Sequence, residues 1–224
     1  MPDAVVFDLD GVLLDSESIW NDAKRELVEA RGGRWRPEAA RTMMGMSSPE
    51  WTRYLRDELG VAMPLDAISE SVVERLGEIY RRRLPLLPGA TEAVRALEAR
   101  WPLGLASSSN RPIIDPVLSA AGLADAFAVT VSSEEVARGK PAPDVYLEAA
   151  RGLGVAPDRC VAVEDSSNGL RSAAAAGMAV IALPNRDFPP SDDALALAAV
   201  ELTALDQLRP DLVEALDEAH RGDR

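Results

Sequence analysis

Two carboxylates two residues apart, Asp8 and Asp10, follow the apolar run Ala4 to Phe7, and a second acidic pair, Glu164-Asp165, follows the apolar run that ends at Val163. Between them in the chain lie the hydroxyl-rich stretch Ser107-Ser108-Ser109-Asn110 and a lysine, Lys140, flanked by Gly139 and Pro141. An acidic pair after a strand is, on its own, more often a helix cap or a solvated loop than a site. The four groups together suit phosphoryl transfer, which needs a nucleophile, a divalent cation to neutralise the phosphate, and donors to hold its oxygens. Lysine usage sharpens the reading: of 24 basic residues only Lys24 and Lys140 are lysine, so arginine serves wherever a surface cation is enough. Lys140 therefore stands out as a working group, with its backbone fixed by its neighbours. Lys24, inside an amphipathic polar stretch, reads as solvated.

These residues have to be brought together by the fold. Ala4 to Phe7 reads as a buried strand feeding the loop Asp8-Leu9-Asp10-Gly11. From Ser16 to about Arg83 no comparable strand occurs; Trp20 to Glu29, Glu50 to Leu59 and Ala67 to Tyr80 have helical spacing, broken at Gly32-Gly33, Pro49 and Pro64. After Pro88-Gly89 the pattern alternates. Helices are predicted over Ala90 to Arg100, Ile113 to Ala121, Asp144 to Leu153 and Gly169 to Ala176, and strands over Leu103 to Ala106, Phe127 to Val131, Cys160 to Val163 and Ala179 to Leu183. Repeated units of this kind imply a mainly parallel sheet with helices on both faces. The fold class is thus α/β: a Rossmann-like, doubly wound parallel sheet core, residues 1–15 and 84–224, with an inserted all-helical domain, residues 16–83. In such sheets ligands bind outside the carboxyl ends of the strands, where Asp8, Asp10, Ser107 to Asn110 and Glu164-Asp165 fall and to which the segment after the Phe127 to Val131 strand brings Lys140.

The stretch Asp8-Leu9-Asp10-Gly11-Val12-Leu13-Leu14-Asp15-Ser16-Glu17 resembles the first motif of the haloacid dehalogenase superfamily. Three further motifs follow in order: Leu105-Ala106-Ser107-Ser108-Ser109-Asn110, Gly139-Lys140-Pro141-Ala142-Pro143-Asp144, and Val163-Glu164-Asp165-Ser166-Ser167-Asn168-Gly169. The resemblance covers essentially the whole chain and is similar to the subgroup of β-phosphoglucomutase and sugar-phosphate phosphatases. It implies that Asp8 attacks phosphorus, that Asp10 serves as general acid and then general base, and that Lys140 bridges Asp8 and the phosphate. It implies Mg2+ held by Asp8, the Asp10 carbonyl and Asp165, with Glu164 close by or acting through water. Ser107, Ser108 and Asn110 are expected at the phosphate, Glu17 and Trp20 in the cap, and the Lys140–Pro141 bond in the cis form. Residues two apart on an extended chain point the same way, which lets Asp8 and Asp10 face one phosphate.

Trp20 has two open readings, a cavity wall or an ordinary core aromatic, and the segment Gly45-Met46-Ser47-Ser48 is a further candidate contact. Arg81-Arg82-Arg83 reads as a solvated face. The subgroup's mutase carries a histidine near Trp20 and a cap arginine where Ser48 stands; both departures point to water as the acceptor, and hence to hydrolysis of a small sugar or polyol phosphate. Phosphoryl transfer between sugar hydroxyls is the alternative, and a non-catalytic binding module of the same fold the third. Asp10 argues against dehalogenase or phosphonate chemistry, which generally lacks it.

Composition narrows the field. A formal charge of −13 disfavours nucleic acid and anionic membranes. It would also repel a phosphorylated metabolite, so positive charge must be supplied locally. The one cysteine, Cys160, excludes an intramolecular disulfide and reads as a buried thiol in a core strand. His220, the sole histidine, lies in the polar tail, which leaves serine–histidine–aspartate chemistry without a candidate base. No apolar stretch approaches the roughly 20 residues of a membrane span. Cytoplasmic residence and a monomer are expected.

Overall fold

The computed structural model describes residues 2–44 and 46–222, with side chains described to residue 216. Strand β1 (Ala4–Phe7) opens the chain, and four helices follow: α1 (Glu17–Ala30), α2 (Ala39–Met43), α3 (Ser48–Asp57) and α4 (Leu65–Arg82). The alternating half then runs α5 (Ala90–Glu98), β2 (Leu103–Ser107), α6 (Arg111–Ala120), β3 (Phe127–Ser132), α7 (Asp144–Leu153), β4 (Cys160–Glu164), α8 (Ser167–Ala175), β5 (Ala179–Ala182), α9 (Asp192–Leu195), β6 (Val200–Glu201) and α10 (Pro210–Gly222). Every predicted helix and strand is present within a few residues; α2, α9, β6 and α10 are additions.

The six strands form one parallel sheet in the order β3-β2-β1-β4-β5-β6. Alternate residues of the strands feed two apolar clusters, as the two-residue period of extended chain requires. Val5, Phe7, Leu103, Leu105, Val161, Val163 and Ile181 point to one face, while Ala4, Val6, Ala106, Cys160, Ala162, Val180 and Ala182 point to the other. The second face is lined by small residues, and α7 and α8 lie on it through Ala149, Ala150 and Ala173. Cys160 belongs to this face; burial pushes its thiol up to about 12, which leaves it inert.

The helices α1 to α4 are inserted between β1 and the rest of the sheet. Outgoing and returning strands of the linker are paired: Asp15 N donates to Pro85 O at 2.8 Å and Leu87 N to Leu13 O at 2.9 Å. Trp20, Leu55 and Leu76 of the insertion join the same apolar cluster as Phe7 of the sheet. Among the described residues no helix is long and apolar enough to cross a membrane. Arg81, Arg82 and Arg83 are exposed, as expected.

Candidate active site

Sheet order places β1 at the point where the chain's direction of travel across the sheet reverses, with β2 on one side and β4 on the other. This is where the crevice of a doubly wound sheet opens. The register sets Phe7 opposite Val163, and Asp8 N donates to Val163 O at 3.0 Å. The next residues, Asp8 and Glu164, therefore leave their strands side by side, and Asp165 follows.

All three acids are buried, and ligand-capable oxygens of Asp8, Glu164 and Asp165 lie within 4.8 Å of one another. Lys140, itself buried and preceding a cis Pro141, donates to Asp8 Oδ1 at 2.8 Å and to Glu164 Oε1 at 2.6 Å. Two carboxylates thus share one ammonium, and a third, Asp165, lies beside them. Burial pushes the Asp8 carboxyl upward, with Lys140 pulling against it and Glu164 and Asp10 adding to it. Burial likewise raises Asp165, helped by Glu164 and Asp8. Lys140 is drawn down by burial and more strongly up by its two carboxylates, so it stays charged.

Glu164 is the most fully engaged of the group. Besides Lys140, its Oε1 accepts from Tyr146 Oη at 2.7 Å, and its Oε2 accepts from Asp165 N at 3.0 Å and from Ser166 N and Oγ, both at 3.3 Å. Asp165 Oδ2, by contrast, is buried without a hydrogen-bond partner. Two glycines make room for these acids. A Cβ on Gly11 would lie 1.9 Å from Asp165 Oδ2, and a Cβ on Gly169 would lie 1.9 Å from the Glu164 carboxylate. An orphaned buried oxygen beside clustered acids with too little positive charge fits a hard divalent cation.

Asp10 is held differently. Its Oδ1 accepts from Ser16 Oγ at 2.5 Å and from Trp20 Nε1 at 3.0 Å, and its Oδ2 accepts from Ser109 Oγ at 2.5 Å. Trp20 is accordingly a cavity residue, and it is packed edge-on against Trp51 with ring centroids 6.3 Å apart. Glu17 lines the same cavity, partly buried, and burial raises its carboxyl to about 7, opposed by Lys24 and reinforced by Asp10.

The expectation for Lys24 was wrong. It is 6% exposed, with Nζ 5.1 Å from the Trp20 ring centroid and 5.2 Å from that of Trp51, and it lines the same cavity as Lys140. Burial lowers it to about 8, with Glu17 and Asp10 working in the other direction. A polar residue turned to an internal cleft has the same periodicity as one turned to water.

The serine run divides. Ser107 is fully buried and its Oγ accepts from Ser109 N at 3.0 Å; Ser108 lines the cavity and its Oγ is buried without a partner. Asn110 does not line the cavity. Its side chain accepts from Ser48 Oγ at 3.2 Å and donates to Glu134 Oε1 at 2.6 Å and Ser69 Oγ at 3.4 Å. Met46 is a wall of the cavity, Ser47 caps α3 in a capping box with Glu50, and Gly45 lies outside the described residues, as does the side chain of His220. Ser109, Ser16, Tyr146, Trp51 and Met43 are site residues that sequence reasoning passed over. Ser109 stood in the quoted motif; Tyr146, on α7, carried no local signal.

Residues 2–177 match the family model for haloacid dehalogenase-like hydrolases. The chain belongs to that family. Curated members similar to it include hexitol phosphatase B of Escherichia coli K12, 34% identical over 211 residues that cover 92% of this chain and 93% of the relative. Protein CbbY of Rhodobacter capsulatus is 35% identical over 228 residues, 96% of each. Among solved structures, CbbY of Rhodobacter sphaeroides in complex with phosphate superimposes with a TM-score of 0.82 at 30% identity, covering 93% of this chain and 96% of that one. The likeness to these three covers more than nine-tenths of each chain, so it takes in the inserted helices as well as the sheet.

Proposed function

We propose that this hydrolase is a magnesium-dependent phosphatase that cleaves a small phosphate monoester, of a sugar or polyol, through an aspartyl phosphate on Asp8. The observation that carries the reading is the buried cluster in which Lys140 joins Asp8 to Glu164 while Asp165 Oδ2 points at no donor. The names of similar proteins, hexitol phosphatase B and a phosphorylated carbohydrates phosphatase of Thermotoga maritima, support the substrate class.

In this reading residues 1–15 and 84–224 form the catalytic core and 16–83 the cap. Asp8, Asp165 and the Asp10 carbonyl would hold Mg2+, with Glu164 at the edge of the set because five protein donors already engage it. When bound, the cation neutralises charge on the phosphoryl oxygens and on the acids around it. An Asp8 oxygen bonds to phosphorus as the ester P–O bond breaks, and Asp10 hands its proton to the departing alkoxide. Asp10 then takes a proton from the water that attacks phosphorus, the bond to Asp8 breaks, and inorganic phosphate leaves. Lys140 neutralises Asp8 and the transferred group, and Ser108 Oγ, free of other partners, donates to a phosphoryl oxygen. The cavity in this closed arrangement is only about 50 Å3, room for a few waters, so the cap must swing aside to admit an ester and return to exclude solvent.

Release of inorganic phosphate from p-nitrophenyl phosphate tests this directly. Activity should require Mg2+, vanish on chelation, and fall at least about a thousandfold in Asp8→Asn, as loss of a nucleophile does. Asp165→Ala should raise the Mg2+ concentration needed for half-activity by roughly ten- to a hundredfold. No phosphate release with any divalent metal would instead favour a binding module that kept the fold. A mutase would need to grip a second phosphate from the cap; among the described residues the cap offers the cavity one cation, Lys24, and Ser48 is spent on Asn110.

A further inference from the structure

Glu17, Trp20 and Lys24 are spaced three and four residues apart on α1 and share one face of the helix, the face turned to the cavity. Trp51, from α3, closes the other side of Lys24, and Met43 and Met46 complete an apolar wall. Lys24 is more than nine-tenths buried, yet among the described residues it makes no hydrogen bond or ion pair; its Nζ lies over the two indole faces. Glu17 likewise has no hydrogen-bond partner among the described residues. The Lys24 ammonium opens onto the cavity, so its three donors are left for water or for a bound ligand there. Trp20, between Glu17 and Lys24 on that face, donates to Asp10 Oδ1 at 3.0 Å, so the pair lies beside the group that would protonate the leaving alcohol.

We propose that Lys24 and Glu17, walled by Trp20 and Trp51, form the subsite that recognises the leaving group, and that it takes a small uncharged polyhydroxyl alcohol. This rests on the phosphatase reading above and narrows its substrate class. One ammonium and one carboxylate side by side sum to nearly zero charge. Hydroxyl groups satisfy both, accepting from Lys24 and donating to Glu17, while C–H faces rest on the methionines and ring edges. An anionic leaving group would satisfy only Lys24 and would be repelled by Glu17 and by Asp10 behind it. The subsite therefore selects against a second phosphate or a carboxylate as well as for hydroxyls.

The test compares kcat/KM, with saturating Mg2+, for glycerol 3-phosphate and sorbitol 6-phosphate, for 3-phosphoglycerate, and for p-nitrophenyl phosphate, whose leaving group offers no hydroxyl array. Wild type should prefer the polyol phosphates to 3-phosphoglycerate by roughly tenfold or more. Lys24→Met should lower the ratio of polyol phosphate to p-nitrophenyl phosphate by roughly tenfold, mainly through KM, which is what a hydrogen bond to a charged group is worth. Glu17→Gln, which leaves Lys24 unopposed, should shift preference toward 3-phosphoglycerate, and it decides the matter alone if the Lys24 variant does not fold. Equal losses on every ester would reassign Lys24 to the phosphate; ratios that do not move in either variant would make the pair structural; a wild-type preference for 3-phosphoglycerate would put a second anion in the subsite. Each of these overturns the proposal with the phosphatase intact, whereas a wild type inactive on p-nitrophenyl phosphate overturns the phosphatase reading itself.

Discussion

Asp10 is oriented by three donors from three parts of the chain: Ser16 where the insertion begins, Trp20 on α1, and Ser109 after β2. In the proposed reaction this carboxyl gives and then takes a proton, so its direction matters more than its depth. Trp20→Phe keeps an aromatic ring against Trp51 and removes one donor. We expect kcat to drop about tenfold for an alkyl phosphate, whose alkoxide needs an acid, and distinctly less for p-nitrophenyl phosphate, whose phenolate leaves readily; equal drops would mean that Trp20 only fills space. Tyr146 works one step further back. Its buried hydroxyl donates to Glu164, and its ring lies 5.1 Å under the Lys140 ammonium. In Tyr146→Phe, Glu164 Oε1 keeps Lys140 but loses its neutral donor, at a cost of roughly 1–3 kcal/mol. For a domain of this size that is a fall in Tm of about 2–12 °C, measurable by differential scanning calorimetry. An unchanged Tm would show that water replaces the hydroxyl.

The turns that follow β1 and β4 decide whether these side chains can meet. Gly11 sits at φ +83°, a region that L side chains avoid, and its missing Cβ leaves the space Asp165 occupies. Gly11→Ala should therefore displace either the turn or the Asp165 carboxylate. A displacement on the 1 Å scale is worth roughly a hundredfold in kcat/KM. Gly122→Ala is the control: its φ is +66°, but a Cβ there would meet nothing within 4 Å, so it should cost stability of about 1–2 kcal/mol and leave turnover alone. Similar activity in the two variants would mean that Gly11 matters for backbone conformation only. The same elements explain what could be read in advance. Buried parallel strands are runs of apolar residues, so β1 to β5 and the acids at their ends were visible along the chain. Two-residue β6, four-residue α9 and five-residue α2 are too short to establish a period. Lys24 defeated periodicity for another reason. Helix α1 has one face against apolar packing and another against a polar cleft, and a cleft-facing lysine is written in the sequence as a solvated one would be. Asn110 was expected at the phosphate because it ends the serine run, but it is the residue at which the chain enters α6, and there its amide turns outward to the insertion.

At the scale of the whole molecule, a chain of net charge −13 must bind an anion. Among the described residues the positive charge lining the cavity is that of Lys140 and Lys24, to which the proposed cation would add, and these few charges act at full strength only when bulk water is excluded. Core and insertion are joined by the paired linkers at one end of the cleft and by Asn110 at the other. Asn110 links Glu134 of the core to Ser48 at the start of α3 and Ser69 on α4. It is a latch in the sense that its bonds exist only while the insertion lies against the sheet. In the proposed opening and closing of the insertion, substrate affinity is the product of intrinsic affinity and the fraction of molecules closed. Asn110→Ala should lower that fraction, raising KM for a phosphate ester by roughly three- to tenfold. It should leave kcat unchanged, or raise it where reopening limits turnover. Amide hydrogen exchange at the first turn of α3 should quicken in the variant, with protection of β1 and β4 unaltered. A KM that stays at the wild-type value, with exchange at α3 unchanged, would mean that apolar packing around Trp20, Leu55 and Leu76 holds the insertion closed by itself.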